Sequence, residues 1–325
     1  MRKESFFLIG IFCLPLILLM SHIVNDQIRF KVDNDIQISN SNYYICMLKD
    51  GAIQCEKLGY YSSNYTLRVP ELKNPIDVSV SSRTVCAIDD TGIVCSGDSD
   101  LQDFAPKTLK NPRGISSSGD RACAIDDLGI SCWGNLAGRH AKGRYGPGGR
   151  IFKPLINPTH VNINGREFCA IDETGLKCWE FELGSLEYNT QKIETPELVN
   201  PSSVAIIDFF AICAIDRTGL NCWPTYLGKL KPADTTWFKK NFREHIPDLV
   251  NPTHVIGNGF SLDNSACALD SQGVHCWSDK GPYKTIPTLK NPSALSGSAR
   301  RPCVVDDGQV ICWLNYHEES EFFPL

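Results

Sequence analysis

Seven times along this 325-residue chain, two cysteines recur with eight residues between them. The segments are CMLKDGAIQC from Cys46, CAIDDTGIVC from Cys86, CAIDDLGISC from Cys123, CAIDETGLKC from Cys169, CAIDRTGLNC from Cys213, CALDSQGVHC from Cys267 and CVVDDGQVIC from Cys303. They account for fourteen of the fifteen cysteines. Self-similarity at a fixed unit length marks a repeat architecture, in which each unit buries its apolar faces only by stacking on its neighbours.

The second cysteine is followed by tryptophan in five units, at Trp133, Trp179, Trp223, Trp277 and Trp313, and by Glu56 and Ser96 in the first two. Between units an Asn-Pro element recurs, ending at Pro75, Pro112, Pro158, Pro201, Pro252 and Pro292. A short alternating stretch follows it, such as Asp77-Val-Ser-Val80 or Val161-Asn-Ile163. Successive first cysteines lie 36 to 54 residues apart, the length of a four-stranded blade. Each unit reads as four short strands: one after Asn-Pro, one ending in Cys-Ala-Ile, one carrying the second cysteine, and one leading to the next Pro-x-Leu. The expected fold is all-β, a seven-bladed β-propeller of four-stranded antiparallel blades over residues 25–325. Two strands compete to complete the last blade: Ile28 to Val32 before the first unit, or Glu321 to Leu325 at the end.

Hairpin geometry says what the cysteines do. In the first and last units Asp50-Gly51 and Asp307-Gly308 stand midway between them, a preferred pair for a two-residue turn. That register sets Cys46 opposite Cys55, and Cys303 opposite Cys312, at a non-hydrogen-bonded pair where backbones come close enough for a disulfide. The other five units carry glycine one place later, which also suits a three-residue turn with a bulge. A bulge would send the two cysteines to opposite faces, so their repetition argues for the even loop. The expected bridges are Cys46–Cys55, Cys86–Cys95, Cys123–Cys132, Cys169–Cys178, Cys213–Cys222, Cys267–Cys276 and Cys303–Cys312. Zinc would want closer Cys-x2-Cys or Cys/His clusters. Disulfides imply an oxidising compartment, and the chain is expected to be secreted, periplasmic or at the cell surface.

The N-terminus supports that compartment. Arg2 and Lys3 precede an apolar run from Phe6 to Met20, the length of a signal-peptide core. No small-x-small site follows, and with Ile23 and Val24 the stretch approaches the length of a membrane span. Residues 1–24 therefore read as a signal peptide or a retained membrane anchor. Cys13 follows Phe12, where a lipoprotein signal wants a small residue, and is not expected to be lipidated.

The run Cys123-Ala-Ile-Asp-Asp-Leu-Gly-Ile-Ser-Cys-Trp-Gly-Asn135, followed by Gly138, resembles the repeat of the regulator-of-chromosome-condensation family in its bacterial, cysteine-bearing extracellular version. The resemblance covers nearly everything after the N-terminal segment and implies a seven-bladed propeller. Family members include a nuclear guanine-nucleotide exchange factor, receptor-like ectodomains and a secreted inhibitor of β-lactamases, so the fold does not fix the function. The Gly-rich tail after Trp-Gly-x-Asn, usual in the family, is present here only in the third unit.

Aspartates recur before the hairpin turn, at Asp89, Asp126, Asp172, Asp216, Asp270 and Asp306. One per blade leaves them far apart, and Asp at a turn start bonds its own backbone, so they read as structural rather than as calcium ligands. The tryptophans recur at one repeat position and read as blade-to-blade packing. His160 and His254 share a position in Pro-Thr-His-Val, while His140, His245, His275 and His317 are scattered. No Ser/His/Asp set, His-Glu-x-x-His motif or phosphate-binding loop is present, and no metal or cofactor is expected. Asn64-Tyr65-Thr66 is a glycosylation acceptor.

The departures from the repeat carry the functional signal. One insertion, Leu136 to Lys153, contains Arg139, His140, Lys142, Arg144, Tyr145 and Arg150 and no acidic residue. The other, Pro224 to Ile246, contains Tyr226, Lys229, Lys231, Trp237, Phe238, Lys239, Lys240 and Arg243. Both join strands three and four, which places them on the face opposite the hairpin turns. Arg, Tyr and Trp are residues of interface hot spots. Against a formal net charge of -5, which gives no case for nucleic acid, two basic aromatic loops suggest an acidic protein or an anionic polymer as partner. The chain is thus expected to be a monomeric binding scaffold, meeting a membrane only through a retained anchor. A polysaccharide-acting enzyme with carboxylates in the central funnel and a structural envelope protein are the alternatives.

Overall fold

The computed structural model describes residues 28–31, 36–58, 67–81, 84–97, 101–136, 149–182, 189–207, 210–225, 238–257, 264–284 and 286–315. The N-terminal segment 1–24, Asn64, His317, the segment 321–325 and most of both insertions lie outside these residues.

Seven small antiparallel sheets follow one another along the chain. The strand β1 (Ile28–Lys31) precedes the first sheet, formed by β2 (Gln37–Asn40), β3 (Tyr44–Lys49) and β4 (Ala52–Lys57). The second holds β5 (Asp77–Val80), β6 (Thr84–Asp89) and β7 (Gly92–Gly97), followed by the helix α1 (Leu101–Phe104). The third holds β8 (Gly114–Ser118), β9 (Arg121–Asp126), β10 (Gly129–Gly134) and β11 (Gly149–Pro154). The fourth holds β12 (His160–Asn164), β13 (Glu167–Asp172), β14 (Gly175–Phe181) and β15 (Thr190–Ile193), and the fifth β16 (Ser203–Ile207), β17 (Ala211–Asp216) and β18 (Gly219–Pro224). In the sixth are β19 (His254–Gly257), β20 (Ser265–Asp270), β21 (Gly273–Ser278) and β22 (Gly281–Pro282). The seventh holds β23 (Pro292–Ser298), β24 (Arg301–Asp306) and β25 (Gln309–Cys312).

Four strands per sheet were expected throughout. Among the described residues the first, second and fifth sheets have three, a partial correction. In the second sheet a helical turn follows β7: Leu101 is 1% exposed in the core shared with the third sheet, and its carbonyl accepts the Trp133 indole N–H at 2.9 Å. The seventh sheet takes its fourth strand from the N-terminal side, with Ile28 opposite Cys312 and Lys31 opposite Gln309. Of the two closures open in the sequence, the structure contains this one.

The first strand of each sheet lies against the first strands of its neighbours, and β2 packs against both β5 and β23. Seven apolar clusters occupy the interfaces between consecutive sheets, including one that joins Cys303, Val305, Val310 and Cys312 of the last sheet to Ile45, Met47 and Leu58 of the first. Trp133, Trp223, Trp277 and Trp313 each lie in the interface with the preceding sheet. This arrangement of seven sheets fits a β-propeller.

All seven hairpins share one register, with the cysteines directly opposed, and all seven disulfides form at Cα–Cα distances of 4.0 to 4.1 Å. Asp50-Gly51 and Asp307-Gly308 have positive φ at both positions, as a type I′ turn requires. The other five hairpins use two-residue turns as well, without a bulge, and their later glycine opens the returning strand at positive φ. The aspartate before each of these five turns ties two segments together. Asp89 accepts the amide of Thr91 in its own turn at 2.7 Å and that of Lys73, beside Asn74, at 2.8 Å. Asp126, Asp172, Asp216 and Asp270 repeat the pattern. Asparagine precedes proline because the backbone there is left-handed, with φ between 45° and 53° at Asn74, Asn111, Asn157, Asn200 and Asn251. Asparagine tolerates that region better than other side chains.

Candidate functional site: the insertion face and the central channel

The insertion of the third sheet leaves β10 at Gly134 and returns at Gly149, directly opposite. This end of the sheet lies away from the 127–128 turn, and β18 likewise ends, at Pro224, away from the 217–218 turn. Of the residues singled out in sequence, Arg139, His140, Lys142, Arg144, Tyr145, Tyr226, Lys229, Lys231 and Trp237 lie outside the described residues. The remaining five divide into two groups.

Arg150 and Phe238 hold the fold together. Arg150, on β11, donates from Nε to the Phe104 carbonyl at 2.7 Å and from Nη2 to that of Ala105 at 3.0 Å, clamping the third sheet to the segment after the second. Phe238 is 3% exposed, which corrects its reading as a surface contact. Its ring stacks on Phe242 at 5.6 Å, and both rings meet Phe210 at 5.5 Å. Phe242 in turn reaches Trp277 of the sixth sheet at 6.3 Å. An aromatic residue inside a basic segment thus fills the gap between two sheets, driven by the large apolar area it removes from water.

Lys239, Lys240 and Arg243 form the other group. Residues 238–241 are helical and Arg243–His245 continue as a 3-10 turn, and all three cations are exposed. Because Phe238 and Phe242 are four apart, they share one side of this helix and are buried, leaving the lysines between them on the open side. His245 Nδ1 lies 3.1 Å from the Ser278 carbonyl and ties the end of the segment to the sixth sheet. The result is three exposed positive charges on an element fixed to the core.

The central channel, the funnel in which the enzyme alternative would place its carboxylates, had no residue assigned to it in sequence. It encloses about 610 Å³ and is lined by all seven first strands, largely with Ser, Asn and apolar side chains. Most of these polar groups serve the scaffold. Ser39 accepts the amide of Val80, Ser79 that of Ser117, Ser116 that of Ile163, Asn162 that of Ile206 and Ser203 that of Val255, at 2.9 to 3.3 Å. Each satisfies the exposed edge of the next sheet, which a first strand otherwise leaves unpaired. The alternation after Asn-Pro, polar at every second position, was the available signal.

Gln37, Asp77, His160, Ser203 and His254 occupy equivalent register positions at the Asn-Pro end of this channel. Burial pushes Asp77 up to about 6, although it accepts the amides of Ile115 and Val78. Burial also holds His160 and His254 below the usual histidine range, with His160 adding to the effect on His254. Asp77 is the one carboxylate among the channel-lining residues described, so the carboxylate pair that glycoside hydrolysis needs is not among them. Among the described residues no group of three or more His, Cys, Asp and Glu could hold a metal ion, and no helix is long and apolar enough to cross a membrane.

The class these features define is an all-β chain of seven disulfide-stapled sheets arranged as in propellers. No protein-family model matches the chain, and no curated protein sequence is similar to it. Solved structures do resemble it. The ectodomain of the Arabidopsis thaliana receptor kinase ACR4 superposes with a TM-score of 0.54 at 16% identity, over 88% of this chain and 100% of that one. Prp20p of Saccharomyces cerevisiae, whose binding to Gsp1p and histones has been described, gives 0.54 at 10% identity over 87% and 83%. The propeller domain of Myceliophteria thermophila Cps50 gives 0.51 at 9% identity over 90% and 99%. Prp20p, which is yeast RCC1, makes the fold likeness consistent with the repeat resemblance noted in the sequence. These likenesses concern the fold.

Proposed function

We propose that this chain is an extracytoplasmic binding scaffold, a closed seven-bladed propeller of the cysteine-bearing regulator-of-chromosome-condensation type. It recognises a macromolecular partner, an acidic protein or an anionic polymer, through the face that carries the 136–153 and 224–246 insertions. The observation that carries this reading is the pinned segment 238–245, which presents Lys239, Lys240 and Arg243 to solvent while Phe238 and Phe242 anchor it in the core. Rigid presentation lowers the ordering cost of binding. Seven disulfides suit an oxidising compartment. Prp20p, a structure of similar fold, is described by its binding to Gsp1p and histones, so binding is one use to which such a fold is put.

Heparin, as a soluble anionic polymer, and an acidic carrier protein are suitable probes for the full chain. K239E/K240E/R243E is expected to weaken binding to at least one of them by tenfold or more with the melting temperature unchanged. Equal binding of both probes by the wild type and the triple variant would overturn the assignment of this face.

A further inference from the structure

Some polar groups of the central channel are not spent on the scaffold. Ser39, Ser79, Ser116, Asn162 and Ser296 each stand opposite the first cysteine of their hairpin, so five sheets set a polar side chain at one level of the wall. Of these, Ser39, Ser116, Asn162 and Ser296 are half-buried. The oxygens of Ser39, Ser116 and Asn162 accept amides of the next sheet. Among the described residues, however, the two hydroxyl hydrogens and Asn162 Nδ2 donate to nothing, and Ser296 makes no side-chain hydrogen bond. A hydroxyl carries one donor hydrogen and an asparagine amide two, so this level is rich in unspent donors. In the fifth and sixth sheets the same level is held by Ala205 and Ile256, which offer no side-chain hydrogen bond.

Two residues nearer the Asn-Pro end, His160 and His254 flank Ser203 at the mouth. Ser203 serves the sixth sheet by accepting the Val255 amide. His160 makes no hydrogen bond among the described residues, and His254 Nδ1 lies 3.0 Å from Thr253 Oγ1 with its other nitrogen unengaged. Burial keeps both imidazoles below the usual histidine range, so at neutral pH each is uncharged and carries one N–H donor and one acceptor nitrogen. No lysine or arginine is among the described residues that line the channel, and Asp77 engages both its oxygens with the amides of Val78 and Ile115. An anion would find no countercharge there, and a cation only a carboxylate already engaged. The wall instead suits a neutral molecule ringed with hydroxyls, which accept from serine and asparagine, exchange hydrogen bonds with imidazole and lay C–H surface on Ile256. We infer that the central channel is a binding site for a neutral carbohydrate, a mono- or disaccharide unit held between the serine-rich level and the two histidines. Its space of about 610 Å³ falls within the range of small-molecule sites, about 300–1,000 Å³. The site is separate from the insertion face and does not depend on what that face binds.

Titration calorimetry and saturation-transfer NMR of the full chain with cellobiose, maltose and lactose test this, with glucuronate and glycerol 3-phosphate as anionic controls. At least one disaccharide is expected to bind at millimolar concentration or below, and neither anion to bind as tightly. H160A/H254A removes groups the scaffold does not use, and S296L fills the serine-rich level without breaking a scaffold bond. Each is expected to weaken disaccharide binding at least fivefold with the melting temperature unchanged, and the histidine pair alone decides if S296L destabilises the fold. K239E/K240E/R243E should bind the disaccharide as the wild type does. Failure of all three disaccharides to bind would overturn the proposal, as would wild-type binding by H160A/H254A and S296L, or tighter binding of either anion. Disaccharide binding lost only in K239E/K240E/R243E would assign it to the insertion segment and strike the channel site. Heparin binding that depends on those three cations would leave the reading of that face intact in every case.

Discussion

The Asp77 carboxylate of the second sheet accepts the backbone amide of Ile115 in the third at 2.8 Å. That amide lies on the inner edge of its sheet, where no further strand pairs with it. The same exchange recurs around the channel, with serine or asparagine in place of aspartate. Inner edges that would otherwise template pairing with another chain are thereby satisfied from the side. Where aspartate does this work, a charge is buried along with the hydrogen bond.

Asp77→Asn tests that cost. The folded-state value of about 6 lies above the ordinary 3.8, so between these pH values the folded protein holds the proton more firmly than the unfolded chain. Wild-type stability therefore falls as pH rises from about 4 to about 6, by about 3 kcal/mol at most. Asparagine retains a carbonyl for Ile115 and carries no charge. Relative to the wild type, the variant is expected to gain stability as pH rises from 4 to 7, measured by urea unfolding. A constant difference across that range would mean that Asp77 is not desolvated as described.

The seven hairpins make a prediction about thiols. Denatured, unreduced protein is expected to show no free thiol among the fourteen cysteines of the repeats, by mass spectrometry after alkylation. Each bridge closes a short loop that the hairpin already brings together. Replacing Cys123 and Cys132 by alanine is expected to cost at most about 2–3 kcal/mol, without loss of the fold. A larger loss would mean that the hairpins do not form without their bridges.

Asn157 is held at φ 45° and donates from Nδ2 to Glu173 at 2.6 Å. Asn157→Ala removes the bond and leaves a side chain poorly suited to the left-handed region. A loss of about 1–2 kcal/mol is expected, and Asn157→Gly should recover most of it. Equal losses in the two variants would assign the effect to the hydrogen bond instead of the backbone.

How far these features were legible depends on how local their causes are. The Cys-x8-Cys register follows from a two-residue turn, and Asp50-Gly51 announces it. The tryptophans and the aspartates before the turns recur too regularly to form a site, and each proves to hold neighbouring segments together. Outer strands were less legible, because Leu101–Phe104 lies where a fourth strand was expected and fills the interface with Leu101 as a helical turn. Phe238 was misread because one ring in a basic insertion has no period to reveal its buried side. Four residues on, Phe242 was the clue, since an i, i+4 aromatic pair around two lysines is amphipathic. Arg150 is exposed, and nothing local tells that its guanidinium also meets the carbonyls of Phe104 and Ala105. The central funnel was expected, but its lining was not legible because its serines bond to sheets dozens of residues away.

The pinned segment allows anchoring and display to be separated. Phe242 is fully buried and touches Phe238, Phe210 and Trp277. Phe242→Ala opens a cavity between the fifth and sixth sheets and is expected to cost about 3–5 kcal/mol, read from the denaturation midpoint. Lys239→Glu, Lys240→Glu and Arg243→Glu change only exposed side chains, and each should stay within about 0.5 kcal/mol of the wild type. If the segment acts through its pinned geometry, Phe242→Leu should weaken binding of the anionic probe while Lys239, Lys240 and Arg243 remain in place. Full binding by Phe242→Leu, with binding lost in the charge variants, would show that the cations act as loose charge and not as a presented surface.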